Sequence, residues 1–261
     1  MEIKYLSKYL LPVKNIVQKV GKLQRDKFCL DREIILSTSK DVHLKIDFDS
    51  EERLKKYLTE NFPEIGFLGE ESGRGDNKNS YWVVDPLDGT VNYYFYNPLF
   101  AISVALVENQ DVVFAIIYAP MTGEFFWAGK NEGAFFQGER VKNKRSEYSK
   151  TVIGGYNNQK RCEHVGNFSL PGNQILNKIE MGCASLELVY VGMGRITSYL
   201  LEKTRLWDIA AGVLFIEESE NIITNWKGQK WTIKDKYLLA SSNRKIHKKI
   251  LKKISLSNKK L

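Results

Sequence analysis

Apolar side chains recur at helical spacing near the start of the chain: Tyr5, Leu6, Leu10, Val13, Ile16, Val17, Val20 and Leu23. That period predicts a helix over 4–24, disturbed at Pro12. Leu54, Tyr57 and Leu58 predict a second helix over about 50–59, with Asp47 just before it. Then the period changes. YWVVD (81–85), FAISVALVE (100–108) and VVFAIIYA (112–119) are rich in β-branched and aromatic residues and predict strands. MTGEFFWAG and EGAFFQGERV continue the pattern with Gly-bearing turns. From about Ser146 helices and strands alternate. TVIGG, KIEM and YLLASS read as strands, SLELVYVGMG and DIAAGVLFIEES as helices, and the basic tail as a last helix. The pattern predicts an α+β or α/β layered sandwich. It has an N-terminal half over 1–145 and a C-terminal half over 146–261, packed as one unit.

Composition supports a folded chain. Among its 261 residues, 43% are hydrophobic, and 13 Phe, 13 Tyr and 5 Trp exclude general disorder. The net charge of +8 would suggest nucleic acid if it were spread over the body. It is not: residues 244–261 carry 8 basic residues and no acid, so the preceding residues balance. Ile246, Ile250, Leu251 and Ile254 predict an amphipathic helix there, lysines outward, and nucleic acid is not the expected partner. The alternative is a tail that contacts RNA or a transcription complex. Cys29, Cys162 and Cys183 form no CxxC pair, and His43, His164 and His247 lack zinc spacing. No run approaches a membrane span and no signal-peptide core is visible. The expected location is cytoplasmic.

The acids carry the chemistry. Glu70 and Glu71 follow GFLG, Asp85 and Asp88 flank Pro86-Leu87, and Asp208 follows Trp207 at a helix start. Each alone reads as a surface acid, a turn or a helix cap. Together, at the mouths of buried strands, they form an oxygen-rich set suited to Mg²⁺ or Mn²⁺. DGTVN adds Gly89, Thr90 and Asn92, a helix start able to turn amides toward an anion. Carboxylates beside such a start point to a phosphate-ester site.

In this order, GEE (69–71), WVVDPLDGTVNY (82–93) and LWDIAAG (206–212) resemble the signature segments of the inositol monophosphatase family. That family lies within the lithium-sensitive, magnesium-dependent phosphatases. DVHLKID (41–47), with Glu51 after it, is similar to a further family segment. MGCASLELVYVGMGRI (181–196) is similar to another. The resemblance implies a five-layered αβαβα sandwich of the sugar-phosphatase type, a homodimer, and a small phosphorylated polyol or sugar as substrate. It implies two or three Mg²⁺ held by Glu70, Asp85, the Leu87 carbonyl, Asp88 and Asp208, with Glu71 beside them. Thr90 and Glu70 would orient the attacking water and Asp47 would support it. Gly89 and Thr90 would donate to phosphate. Asp88, Asp208, Gly182, Cys183 and Ala184 would face the alcohol part. Cys183 is then a packed side chain and no nucleophile. Rival substrates within the superfamily are fructose-1,6-bisphosphate, histidinol phosphate and 3′-phosphoadenosine nucleotides.

The sequence departs from the family at Leu44, in place of Thr, and at Cys183, in place of Ser or Thr. It also has Leu201 where inositol-specific members carry a Glu that bonds substrate hydroxyls. Glu202 follows one residue later. It serves that role if the intervening turn is one residue shorter; otherwise inositol recognition loses this Glu.

Overall fold

The computed structural model describes residues 4–30, 33–37, 42–76, 78–142, 151–155 and 175–257. The 145/146 boundary, Asp41, Cys162, His164, Lys259 and Lys260 lie outside them.

The chain opens with helix α1 (Tyr5–Lys27), which runs unbroken through Pro12. The strands β1 (Ile34–Ser37) and β2 (Val42–Leu44) pair antiparallel. Helix α2 covers Lys45–Asn61, so it starts five residues earlier than the apolar spacing alone indicated. The reason is Asp47, which lies inside the first turn and accepts the N–H of Leu44 at 2.5 Å.

Next come β3 (Gly66–Gly69), β4 (Gly73–Arg74), β5 (Ser80–Asp88), the short helix α3 (Thr90–Tyr94) and β6 (Ala101–Glu108). β7 (Asp111–Ala119), β8 (Glu124–Gly129), β9 (Gly133–Phe136) and β10 (Glu139–Val141) complete the first large sheet. Its eight strands run in the order β10-β9-β8-β7-β6-β5-β3-β4. All pairs are antiparallel except β3 with β5.

The remaining elements are β11 (Thr151–Gly155), β12 (Ile175–Ile179), α4 (Ala184–Gly192), β13 (Ser198–Glu202) and α5 (Leu206–Glu218). β14 (Ile222–Thr224), β15 (Tyr237–Ser241) and α6 (Arg244–Ser257) follow. Five of these strands form a second sheet in the order β12-β11-β13-β15-β14.

Buried side chains define five layers. Val13, Val17 and Val20 of α1, with Leu54 and Leu58 of α2, cover one face of the large sheet through Trp82, Val84 and Val104. The other face meets α4 and α5 through Val83, Ala105, Leu186, Ala211 and Leu214. The far side of α4 and α5 packs on the second sheet through Val191, Val213, Tyr199 and Leu238. Finally Ile246, Ile250 and Ile254 of α6 cover Leu200 and Leu239. α4 and α5 lie between two sheets, which is why both are apolar nearly all round. The αβαβα sandwich expected from the resemblance is the observed fold. α6 is pinned further by His247, whose Nδ1 lies 3.0 Å from Ser241 Oγ and whose Nε2 lies 3.0 Å from Thr224 Oγ1. Burial, helped by nearby Arg244, lowers the His247 pKa to about 4. No helix among the described residues is long and apolar enough to cross a membrane.

Candidate active site

Strand geometry explains how the acids converge. In a regular strand, residues three apart point to opposite faces. Asp85 pairs with Ser103 and Asp88 with Ala101, so β5 carries one extra residue across the Pro86-Leu87 step. This bulge turns Asp85 and Asp88 to the same face, the one that meets α4 and α5. The Leu87 N–H bonds to Asp85 Oδ1 at 2.9 Å, and Gln24 Nε2 of α1 donates to the Pro86 carbonyl at 2.7 Å. β3 runs parallel to β5, with Gly69 opposite Val84, so Glu70 leaves its strand beside Asp85.

The turn that bears Glu70 and Glu71 is gripped by Glu51 of α2. Its carboxylate accepts the N–H of Glu71 and of Ser72, both at 2.8 Å. Gly69 leaves room for this grip: a Cβ there would fall 2.5 Å from the Glu51 carboxylate and displace it. His43 Nδ1 lies 2.9 and 3.0 Å from the two Glu71 oxygens. Exchanging Glu51 for Ala strands two amides that it now satisfies. A loss of about 2–4 kcal/mol in urea-melt stability is expected, with weakened metal-dependent activity.

The starts of α2, α3, α4 and α5 bear on these acids. Thr90 opens α3; its Oγ lies 3.3 Å from Asp47 Oδ1 and 3.1 Å from the Leu87 carbonyl. Gly89 before it has φ 100°, and a Cβ there would come within 3.0 Å of the Leu99 carbonyl. Asp88 lies against the start of α4. Its Oδ2 accepts the N–H and the hydroxyl of Ser185, both at 2.6 Å, and faces Cys183 Sγ at 3.2 Å. Its Oδ1 accepts the Ala184 N–H, at 3.2 Å. Ser185 thus supplies the strong hydrogen bond that a thiol cannot. Asn92 Nδ2 donates to the Met181 carbonyl at 2.7 Å and so holds the 181–183 turn against α3; Gly182 in that turn has φ 70°. Asp208, in the first turn of α5, accepts the Arg205 N–H at 3.3 Å.

The acids feel one another. Burial raises the pKa of Asp47, Asp85 and Asp88, and raises that of Asp208 to about 8. After burial, Asp208 feels mainly Asp88 and Glu70, Asp85 feels Glu70, Asp88 and Asp208, and Asp47 feels Glu71 and Glu70. The set therefore forms a chain of neighbours from Asp47 through Glu70, Asp85 and Asp88 to Asp208. Among the described residues no three His, Cys, Asp or Glu side chains are gathered closely enough to hold a metal ion as they stand. An oxygen-only row of buried like charges fits hard divalent cations, which would relieve the repulsion. Asp88 Oδ1 and the second lone pair of the Leu87 carbonyl leave room for ligation. Burial also raises the Cys183 thiol pKa well above its ordinary value, which argues against thiolate chemistry.

Glu202 does not join this row. Tyr199 and Leu201 of β13 pack toward α4 and α5, whereas Leu200 packs toward α6. By alternation Glu202 lies on the α6 face, paired with Tyr237, whose ring meets Trp226 on that face. The hydrogen-bonding roles of Gln24, Glu51, Asn92 and Ser185, and the place of His43, were not visible in the sequence. Each acts across a tertiary contact; the one local hint was the position of Glu51 after the 41–47 segment.

Residues 8–259 match the inositol monophosphatase family. An inositol-1-monophosphatase of Caulobacter vibrioides is 34% identical, over 80% of this chain and 85% of its own length. A Pasteurella multocida protein named Nus factor SuhB is 32% identical, over 92% and 90%. A fructose-1,6-bisphosphatase/inositol-1-monophosphatase of Thermotoga maritima is 29% identical, over 83% of each chain. Among solved structures, a Thermotoga maritima inositol monophosphatase superposes with a TM-score of 0.85 at 25% identity, covering 97% of this chain and 99% of that one. The chain therefore belongs to the inositol monophosphatase family, a family of metal-dependent phosphoric monoester hydrolases.

Proposed function

We propose that this protein is a Mg²⁺-dependent phosphomonoesterase that hydrolyses inositol monophosphate or a related sugar phosphate. The observation that supports the reading is the mutual influence of the carboxylates Glu70, Asp85, Asp88 and Asp208, with Thr90 bonded to the neighbouring Asp47 and the 183–185 helix start bonded to Asp88. Glu70, Asp85, Asp88, Asp208 and the Leu87 carbonyl would hold the cations. When bound, these supply charge neutralisation at phosphate and acidify water. Thr90 donates to Asp47 and so turns its own lone pairs toward the attacking water, which Glu70 helps to orient. The start of α3 at Gly89-Thr90 offers backbone N–H groups to the phosphate oxygens. The alcohol departs toward Asp208 and the Gly182-Cys183-Ala184 turn. In-line attack needs no protein nucleophile.

We place the enzyme in the cytoplasm as a homodimer. Docking of α6 through its isoleucines explains the basic tail as a solvated face, so RNA has no part in this reading.

The test is a phosphate-release panel with Mg²⁺. It compares inositol 1-phosphate, fructose-1,6-bisphosphate, histidinol phosphate and 3′-phosphoadenosine 5′-phosphate. Release from a polyol or sugar ester, abolished by EDTA and restored by Mg²⁺, is expected. Absence of Mg²⁺-dependent release from every ester overturns the reading.

A further inference from the structure

The turn over residues 181–183 joins β12 to α4. A turn keeps one geometry only where its backbone groups are held. Both backbone groups of Met181 are taken by side chains. Its carbonyl accepts Asn92 Nδ2 of α3 at 2.7 Å, and its N–H donates to Glu187 Oε1 at 2.6 Å. Asn92 is fixed in turn, because Nδ2 also donates to the Leu99 carbonyl at 2.6 Å. Gly182 leaves little slack between the two: a Cβ there would lie 3.1 Å from Asn92 Nδ2.

Glu187 stands in the first turn of α4 and is 1% exposed. A carboxyl buried so deeply is costly, and burial raises its pKa to about 7. Capping α4 does not account for it. Asp88 already accepts the Ala184 and Ser185 N–H groups at that helix start. The Glu187 bond instead leaves the helix and reaches back six residues to the turn. We propose that Glu187 is a positioning residue: with Asn92 it clamps Met181 and so fixes the Gly182-Cys183-Ala184 wall that meets the alcohol part of the ester. This rests on the hydrolase reading above and adds to it a residue that touches neither phosphate nor metal. Asp88 keeps its own bonds to Ala184 and Ser185 when the clamp is lost. Contacts to the alcohol part count equally before and in the transition state, so their loss raises KM and spares kcat.

The experiment measures kcat and KM in saturating Mg²⁺ for whichever ester of the panel above wild type hydrolyses best. It compares wild type with Glu187→Gln, Glu187→Met and Asn92→Ala. Glutamine keeps an acceptor for the Met181 N–H, whereas methionine fills the same space without one. Glu187→Met should raise KM at least about ten-fold with kcat within about three-fold of wild type, and Glu187→Gln should stay within about three-fold in both. Asn92→Ala frees the other side of the clamp and should raise KM as Glu187→Met does. An unchanged KM in Glu187→Met, a loss confined to kcat, or a Glu187→Gln as impaired as Glu187→Met overturns the proposal and leaves the hydrolase reading standing. If Glu187→Met does not fold, an unchanged KM in Asn92→Ala overturns it. Failure of wild type to release phosphate from any ester removes both.

Discussion

Asp85→Asn removes phosphate release yet leaves the metal-free protein folded and more stable than wild type. Asp85 is 2% exposed and feels the charges of Glu70, Asp88 and Asp208. Asparagine keeps the oxygen that accepts the Leu87 N–H, so the bulge that aims Asp88 survives. It removes one of several buried like charges. At pH 8 without metal this should stabilise the fold by about 1–2 kcal/mol, read by urea melts. The same change takes away a ligand from the middle of the row. Activity should fall at least about a hundred- to a thousand-fold even in saturating Mg²⁺. Turnover near wild type, or an asparagine variant that fails to fold, contradicts the assignment of Asp85 as a ligand under electrostatic strain.

The second large effect couples pH, metal and stability. In the folded, metal-free protein Asp208 titrates at about 8, against an ordinary 3.8. Between those values the folded state binds more protons than the unfolded state. Stability therefore falls as pH rises through that window, by about 1.4 kcal/mol per pH unit for one such group. Asp47, Asp85 and Asp88 shift in the same direction. His247, lowered to about 4, has the opposite slope, but only below its unfolded pKa of about 6.5. Over the step from pH 6.5 to pH 8 it contributes only about 0.4 kcal/mol. In EDTA, urea melts should lose about 2 kcal/mol or more over that step. With Mg²⁺ at about 100 times its Kd the loss at pH 8 should be offset by about 2.7 kcal/mol. A metal-free protein as stable at pH 8 as at pH 6.5 would mean that these acids do not repel one another when ionised.

Much of the molecule could be read along the chain. The long amphipathic period gave α1, and its burial of Val13 and Val17 follows directly. The β-branched runs gave β5, β6 and β7. The apolar all-round segments after Gly182 and Arg205 read as helices because sequences that lie between two sheets have no polar side to show. The acids were visible too, as an ordered set of carboxylates at the ends of buried strands. Errors fell at element ends. The start of α2 depends on a side-chain-to-backbone bond from Asp47, which an apolar period cannot register.

Residue identity and local period thus determined which elements form and which acids are available. What they could not determine was direction. Asp85 and Asp88 share a face only because β5 bulges against β6, and that extra residue is defined by the partner strand's register. Glu202 lies one step out of phase with Leu201, so pairing with β15 sends it to the α6 face. Asp88 is held by Ser185, and the Glu70 turn by Glu51, across 97 and about 20 residues of chain respectively. Local period sets the alternation within one strand; only the neighbouring strands and helices decide which side of it gathers the acids.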